Sequence, residues 1–189
     1  MISEFLNIIF KSLKLDGSLY NNKKNFTEAS IYFALIIILL TSIVSLIPGS
    51  VFIQYMTSTY GLTDVKGPSF RSVLISSLIV WVIKTGYLYF VGVVLFPSNS
   101  TKCSFRKLLI TVAYAYSPFI FYIFIIDIKL IYFTFIPYIW YCITLIIGLK
   151  HILNYENYVK PSIISLAPQI LLLTWILSQS FNLNSGTIS

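Results

Sequence analysis

The amino-acid sequence predicts an all-α membrane protein with five transmembrane helices, a cytoplasmic N-terminus and an external C-terminus. Of its 189 residues, 57% are hydrophobic and only 10% are charged, whereas about a quarter of the residues in a soluble domain are charged. The mean hydropathy is +0.85. Five apolar runs are each long enough to cross a hydrocarbon core of about 30 Å. The basic residues collect on alternate connections, as the positive-inside rule describes.

The first 28 residues are predicted to form a short cytoplasmic amphipathic helix followed by a polar linker. Residues 2–15 place apolar side chains at helical spacing on one face and polar side chains, two lysines among them, on the other. Gly17 follows as a stop signal. Such a helix is suited to an anionic membrane surface. Packing against the cytoplasmic side of the protein is an equally open alternative.

The five spans follow this segment, and proline and glycine separate several of them. They are predicted at 29–47, 73–96, 108–126, 130–149 and 162–181, with an external tail at 182–189. Pro48-Gly49 is expected to end the first span. The connection that follows it, 48–72, is ambiguous, because its first part is compatible with either a surface helix or an extension of the first span.

The orientation follows from the positions of lysine and arginine. Nine fall on the side of the N-terminus, namely Lys11, Lys14, Lys23, Lys24, Lys102, Arg106, Lys107, Lys150 and Lys160. Three fall on the other side, namely Lys66, Arg71 and Lys129. Cytoplasmic connections are enriched in such residues. The net charge of +7 is therefore explained by topology, and a nucleic-acid partner is not expected.

A group of polar residues is predicted within the membrane. Lys84 lies near the middle of the second span, where a charge is costly unless it faces protein or water. Pro118 removes a donor from the third span and would free the carbonyl of Tyr114. The candidate cluster comprises Lys84, Tyr114, Tyr116, Ser117 and Asp127. It would be either a binding or relay site, or a structural arrangement in which the lysine bonds to a freed carbonyl.

No motif for catalysis or for a cofactor is found in the sequence. Cys103 and Cys142 belong to no metal-binding or redox pattern, and His151 is the single histidine. We therefore expect neither an enzyme nor a bound metal or cofactor.

Segments of the second half resemble the Yip-domain family of membrane proteins. The resemblance rests on FRKLLITVAYAYSPFI (105–120), in which a basic loop leads into a helix with small, aromatic and proline positions, and on WYCITLIIGLKHI (140–152) and NYVKPSIISLAPQIL (157–171). It implies five helices with the N-terminus inside. Eukaryotic members bind Rab-type GTPases and act in Golgi trafficking. The short termini favour a prokaryotic member in the cell membrane.

The expected function is a non-enzymatic scaffold or assembly subunit of Yip-domain type, which recruits membrane or cytoplasmic proteins at its cytoplasmic face. That face would comprise the N-terminal helix and the basic residues Lys102, Arg106, Lys107, Lys150 and Lys160. An oligomer is compatible with this function. The alternatives are a permease or channel component in which Lys84 lines a substrate path, and a small subunit of a larger membrane complex.

Overall fold

The computed structural model describes residues 2–21, 23–61, 67–98, 103–170 and 174, and the regular secondary structure in these residues is entirely helical. The N-terminal segment contains α1 (Ile2–Leu13), α2 (Ser18–Asn21) and a 3-10 turn (Lys23–Phe26). The spans that follow contain α3 (Glu28–Tyr60), α4 (Phe70–Tyr89), α5 (Phe105–Ala115) and α6 (Phe135–Leu153). A further helix, α7, is described over 159–170.

Four helical segments of the described residues are long and apolar enough to cross a membrane. They are Glu28–Tyr60, Phe70–Leu95, Phe105–Phe124 and Ile128–Leu153, here called the first to the fourth span. The multi-pass membrane class that the composition predicts is thus supported. Residues 171–173 and 175–181 of the predicted fifth span lie outside the described residues, and so does the tail at 182–189. The fifth span therefore stays a prediction, although its described part is helical and begins at residue 159.

The first span is longer than predicted. The predicted end at Pro48-Gly49 is wrong, because α3 continues through both residues to Tyr60. Proline removes one backbone donor, and a long apolar helix tolerates that loss when it packs against neighbours. The true stop is Gly61, whose φ of 65° is left-handed and whose N–H donates to the carbonyl of Thr57.

Two of the other spans begin about three residues before their predicted starts because serine side chains cap them. The hydroxyl of Ser69 accepts the N–H of Ser72 at 3.2 Å, and the hydroxyl of Ser104 accepts the N–H of Lys107 at 3.3 Å. Both interactions satisfy a donor that the helix itself leaves unpaired.

The ends of the spans depart from regular α-helix. The second span finishes as a π-helix, Phe90–Leu95, and the third finishes as a 3-10 helix, Ser117–Phe124. The fourth begins as a 3-10 helix, Ile128–Thr134, and runs on to Leu153, four residues past its predicted end at 149.

The N-terminal segment is part of the apolar core rather than a separate surface element. Ile8 and Ser12 of α1 are buried, and Leu19 and Tyr20 of the predicted polar linker are 0% and 2% exposed. The helix α1 contacts α5 and the 3-10 helix of the third span, and α2 contacts α6. The expectation of a polar linker is therefore wrong for these residues. The Tyr20 ring lies close to Gly148 of α6.

One end of the four spans is joined by short polar contacts, and we call it the N-terminal side. Arg106 and Glu28 approach within 3.8 Å there. The hydroxyl of Tyr155 lies 2.9 and 2.7 Å from the carbonyl oxygens of Gly92 and Phe96, which share its single proton. Burial raises the pKa of Tyr155 above its ordinary value. These contacts join the first span to the third span, and the second span to the chain after the fourth span.

Candidate functional site

The candidate site is organised by the break that Pro118 makes in the third span. Proline has no N–H, so the carbonyl of Tyr114 loses its helical donor. Two hydroxyl groups replace that donor: Ser117 donates to this carbonyl at 2.8 Å and Ser12 of α1 at 2.7 Å. Both serine residues are buried. A polar backbone group exposed by proline is thus satisfied partly by a residue that lies far away in sequence.

The 3-10 helix after the break aligns aromatic side chains in a column. Residues three apart lie above one another in a 3-10 helix, since it has three residues per turn. The rings of Tyr116 and Phe119 are 5.5 Å apart, and those of Phe119 and Tyr122 are 5.2 Å apart. These separations are typical of favourable aromatic pairs. We call Tyr116, Phe119 and Tyr122 the aromatic column.

Tyr141 of α6 joins the aromatic column to Lys84. Its ring centroid lies 4.9 Å from that of Tyr116 and 5.1 Å from that of Phe119. The ammonium nitrogen of Lys84 is 4.5 Å from the centroid of the Tyr141 ring. A cation over an aromatic face is attracted by the ring quadrupole. Among the described residues no acidic side chain forms an ion pair with Lys84.

A cavity lined by hydroxyl groups lies between the first, second and third spans. Its volume is about 270 Å³, and the aromatic column forms one wall. The other walls carry Ile38, Thr41, Ser42, Ser45, Ser76, Ser77 and Val80. Five serine and threonine side chains line this otherwise largely apolar space, and we call it the hydroxyl cavity.

The structure brings together four of the five residues of the predicted intramembrane cluster. Tyr114, Tyr116 and Ser117 lie in the Pro118 turn, and Lys84 is linked to them through Tyr141 rather than directly. The hydroxyl of Tyr114 points away from the cluster and donates to the carbonyl of Asn25 at 3.3 Å. Lys84 faces the bundle, but it contacts the fourth span and not the freed carbonyl.

Asp127 does not belong to this cluster. Its exposed side chain accepts the N–H of Lys129 at 2.9 Å and caps the 3-10 helix that begins the fourth span. A carboxylate at the start of a helix pairs with an unsatisfied donor there, and this local bond holds it in the connection between the third and fourth spans.

The predicted basic face is made of residues that contact their own chain. Lys102 lies outside the described residues. The ammonium nitrogens of Lys107, Lys150 and Lys160 lie over the rings of Phe26, Tyr158 and Tyr155, at 5.0, 3.8 and 5.9 Å. Arg106 is the partner of Glu28 in the ion pair at 3.8 Å. Of the four described residues of this predicted face, three lysines lie over aromatic rings and Arg106 lies beside Glu28.

Tyr141, Ser12 and the hydroxyl groups of α3 and α4 are site residues that sequence reasoning missed. The signal for the hydroxyl groups was present, because Thr41, Ser42 and Ser45 share one face of an apolar run. No comparable signal identified Ser12 as a donor to Tyr114, since that contact joins residues 102 positions apart.

These features define a helical multi-pass membrane protein with a polar and aromatic centre. Among the described residues, no group of His, Cys, Asp and Glu could hold a metal ion. Comparison of the chain with protein-family models, with curated proteins and with solved structures finds no match.

Proposed function

We propose that this protein is a non-enzymatic membrane scaffold of Yip-domain type, with its N-terminal side in the cytoplasm and its fifth span crossing the membrane. It recruits a partner protein through α1. The observation that carries the proposal is that α1 is held firmly yet left partly uncovered. Ser12 bonds to the third span, and the rings of Phe5 and Phe33 lie 5.7 Å apart.

The uncovered part of α1 is an apolar stripe at the spacing of one helical turn. Ile2, Leu6 and Phe10 are 77%, 48% and 60% exposed. They lie beside the packed face formed by Phe5, Ile8, Ile9 and Ser12. The packed face is enough to hold α1 against the rest of the protein. An exposed apolar stripe on a helix held in this way is suited to binding a second helix. The partner is accordingly a protein with an apolar helical surface.

A photo-crosslinking amino acid at Phe10 tests the proposal in intact cells. We expect crosslinked products of higher mass that contain a second protein. The same group at Asn7, on the polar face of α1, should give few such products. A crosslinker at Ile79, which is 53% exposed on α4, should give lipid adducts. Lipid adducts alone at Phe10 would contradict recruitment and would assign the stripe to the membrane surface.

A transport role for Lys84 is the second candidate, because this residue has no acidic partner among the described residues. In that case Lys84→Met should abolish transport while the protein still inserts and purifies normally. In a purely structural role the same change should preserve function, since a matched apolar side chain often replaces a buried charge without loss of stability. Recruitment measured by the crosslink at Phe10 should be unchanged in either case.

A further inference from the structure

A polar groove lies on the N-terminal side, where the end of the second span meets the connection between α6 and α7. Its volume is about 240 Å³, and it is lined by Pro97, Ser98, Tyr155, Glu156, Asn157 and Lys160. We propose that this groove binds the zwitterionic headgroup of a phosphatidylethanolamine lipid, in which a short carbon chain joins a phosphate to a primary ammonium. The proposal goes beyond recruitment through α1 and concerns different residues.

Hydrogen bonds between distant parts of the chain hold the two walls of the groove together. Ser98, which follows the second span, donates its hydroxyl proton to the carbonyl of Asn154 at 2.8 Å. The hydroxyl of Tyr155 lies against the carbonyl oxygens of Gly92 and Phe96. Because these bonds fix both walls without a ligand, binding in the groove requires little further ordering of the chain.

The groove carries one side chain of each charge. Glu156 and Lys160 are both exposed, and among the described residues neither forms an ion pair. The two charges therefore do not neutralise each other. A carboxylate accepts hydrogen bonds and a lysine ammonium donates them. Glu156 is accordingly matched to an ammonium of the ligand, and Lys160 is matched to a phosphate.

This pair of charges distinguishes between classes of headgroup. The anionic headgroup of phosphatidylglycerol would satisfy Lys160 but would bring a like charge close to Glu156. The quaternary ammonium of phosphatidylcholine has no N–H to donate to the carboxylate. A phosphate joined to a primary ammonium satisfies both side chains.

The volume of the groove fits such a headgroup. Because one water molecule occupies about 30 Å³ in the liquid, a space of about 240 Å³ has room for about eight water molecules. A phosphoethanolamine group contains about the same number of non-hydrogen atoms as these waters would supply.

The neighbours of the lining residues favour a membrane lipid over a soluble molecule. Phe96, which precedes Pro97, and Val159, which precedes Lys160, are each more than half exposed. Apolar side chains are more stable against hydrocarbon than against water. The acyl chains of a lipid whose headgroup occupies the groove would therefore have apolar surface beside them on both elements.

Native mass spectrometry of the purified full-length chain measures which lipid stays bound. Phosphatidylethanolamine, phosphatidylglycerol and phosphatidylcholine with identical acyl chains are added in equal amounts in a mild detergent. We expect phosphatidylethanolamine to be retained about fivefold over either competitor, which is the size of effect that one partly exposed ion pair supplies.

Two variants of the groove test the roles of its charges. Lys160→Gln should lower the retention of phosphatidylethanolamine. Glu156→Gln should shift the preference to phosphatidylglycerol, because the remaining lysine favours a headgroup with a net negative charge. Lys14→Gln and Glu4→Gln remove the same charges from exposed positions of the N-terminal segment and should leave the preference unchanged.

Equal retention of the three lipids would show a groove filled with water and would overturn the proposal. A preference that both groove variants leave unchanged would place the lipid elsewhere and would also overturn it. Free phosphoethanolamine that binds the lipid-free protein as tightly as the lipid does, and loses this binding in Lys160→Gln, would assign the groove to a soluble ligand instead. No protein partner is present in these measurements, so their outcome does not depend on recruitment by α1.

Discussion

At the scale of single residues, two glycines on different spans show how closely the surrounding helices approach. A Cβ atom added at Gly148 would lie 2.7 Å from the methyl group of Thr111 and 3.2 Å from the Tyr20 ring. A Cβ atom added at Gly86 would meet nothing within 4 Å. The close approach of α6 to α5, and of both to the N-terminal segment, therefore depends on the missing side chain at Gly148.

Gly148→Ala is expected to lower the free energy of unfolding by about 1–3 kcal/mol, the usual cost of forcing atoms into a packed interior. Gly86→Ala is the matched control. It should leave stability unchanged or raise it by up to about 1 kcal/mol, because alanine is the better helix former. Thermal unfolding of both variants in detergent measures the difference. Equal melting temperatures would mean that an added methyl group fits between Gly148 and Thr111 without displacing either residue.

Cys103 carries a prediction about pH. Its side chain is 7% exposed, and burial raises the pKa of the thiol to about 11. The thiolate forms as the pH rises through the pKa, so alkylation at pH 7.5 should be on the order of 100-fold slower than for an ordinary thiol. In a Cys142→Ser variant, the rate should rise about tenfold per pH unit beyond pH 9. A plateau near pH 9 would show that this thiol is solvated.

The residue scale also shows which part of the site was predictable. A lysine in the middle of a span must face protein or water, and this argument correctly directs Lys84 inward. The ring that Lys84 contacts depends on the rotation of α6 relative to α4. That rotation is set by packing among Tyr116, Phe119 and Tyr141, which local sequence patterns do not encode.

At the scale of elements, α1 has two kinds of apolar residue with different roles. Ile8 is 5% exposed and packs in the core, whereas Leu6 is 48% exposed on the stripe. Ile8→Ala should lower the free energy of unfolding by about 2–4 kcal/mol, since it leaves a cavity. Leu6→Ala should cost less than about 1 kcal/mol, because a partly exposed side chain loses little burial.

Chemical unfolding in detergent compares the two variants directly, and crosslinking at Phe10 supplies the complementary measurement. Leu6→Ala should weaken crosslinking to the partner while leaving the fold intact. Similar stability losses for both variants would contradict the division of α1 into a packed face and an open stripe.

The start of a helix could be predicted where a side chain of the same segment caps it. The caps at Ser69 and Ser104 are sequence signals of a helix start, and a closer use of these signals would have given the correct first residues. The continuation of α3 through Pro48 was not predictable in this way. The cost of a proline in a helix depends on whether neighbouring elements compensate for it, and that compensation is a property of the assembled bundle.

At the scale of the whole molecule, the proposed topology leads to a reporter prediction. A reporter fused after Ser189 should be active outside the cell, and one inserted within 98–104 should be active inside. The physical reason is the accumulation of lysine and arginine on the N-terminal side, which the proposed topology puts in the cytoplasm. Fusion reporters with activity restricted to one compartment make the measurement. An internal C-terminus would require an even number of spans and would overturn the fifth.

The helical class and the multi-pass character follow from composition, because an apolar chain of this kind must satisfy its backbone groups internally. The inclusion of the N-terminal segment in the core could not be predicted from composition. Leu19 and Tyr20 lie among polar residues and form no periodic pattern. The burial of Tyr20 depends on the space beside Gly148 of α6.

The 3-10 half of the third span also affects how well the length of this span matches the thickness of the bilayer. A 3-10 helix rises about 2.0 Å per residue and an α-helix about 1.5 Å, so the eight residues of Ser117–Phe124 cover about 16 Å instead of about 12 Å. Local rewinding into α-helix would shorten the third span by about 4 Å. The energetic cost of hydrophobic mismatch is fractions of a kcal/mol per ångström. The segment that forms the aromatic column could therefore adjust its length to a thinner or thicker membrane, and the 3-10 start of the fourth span could do so by a similar amount.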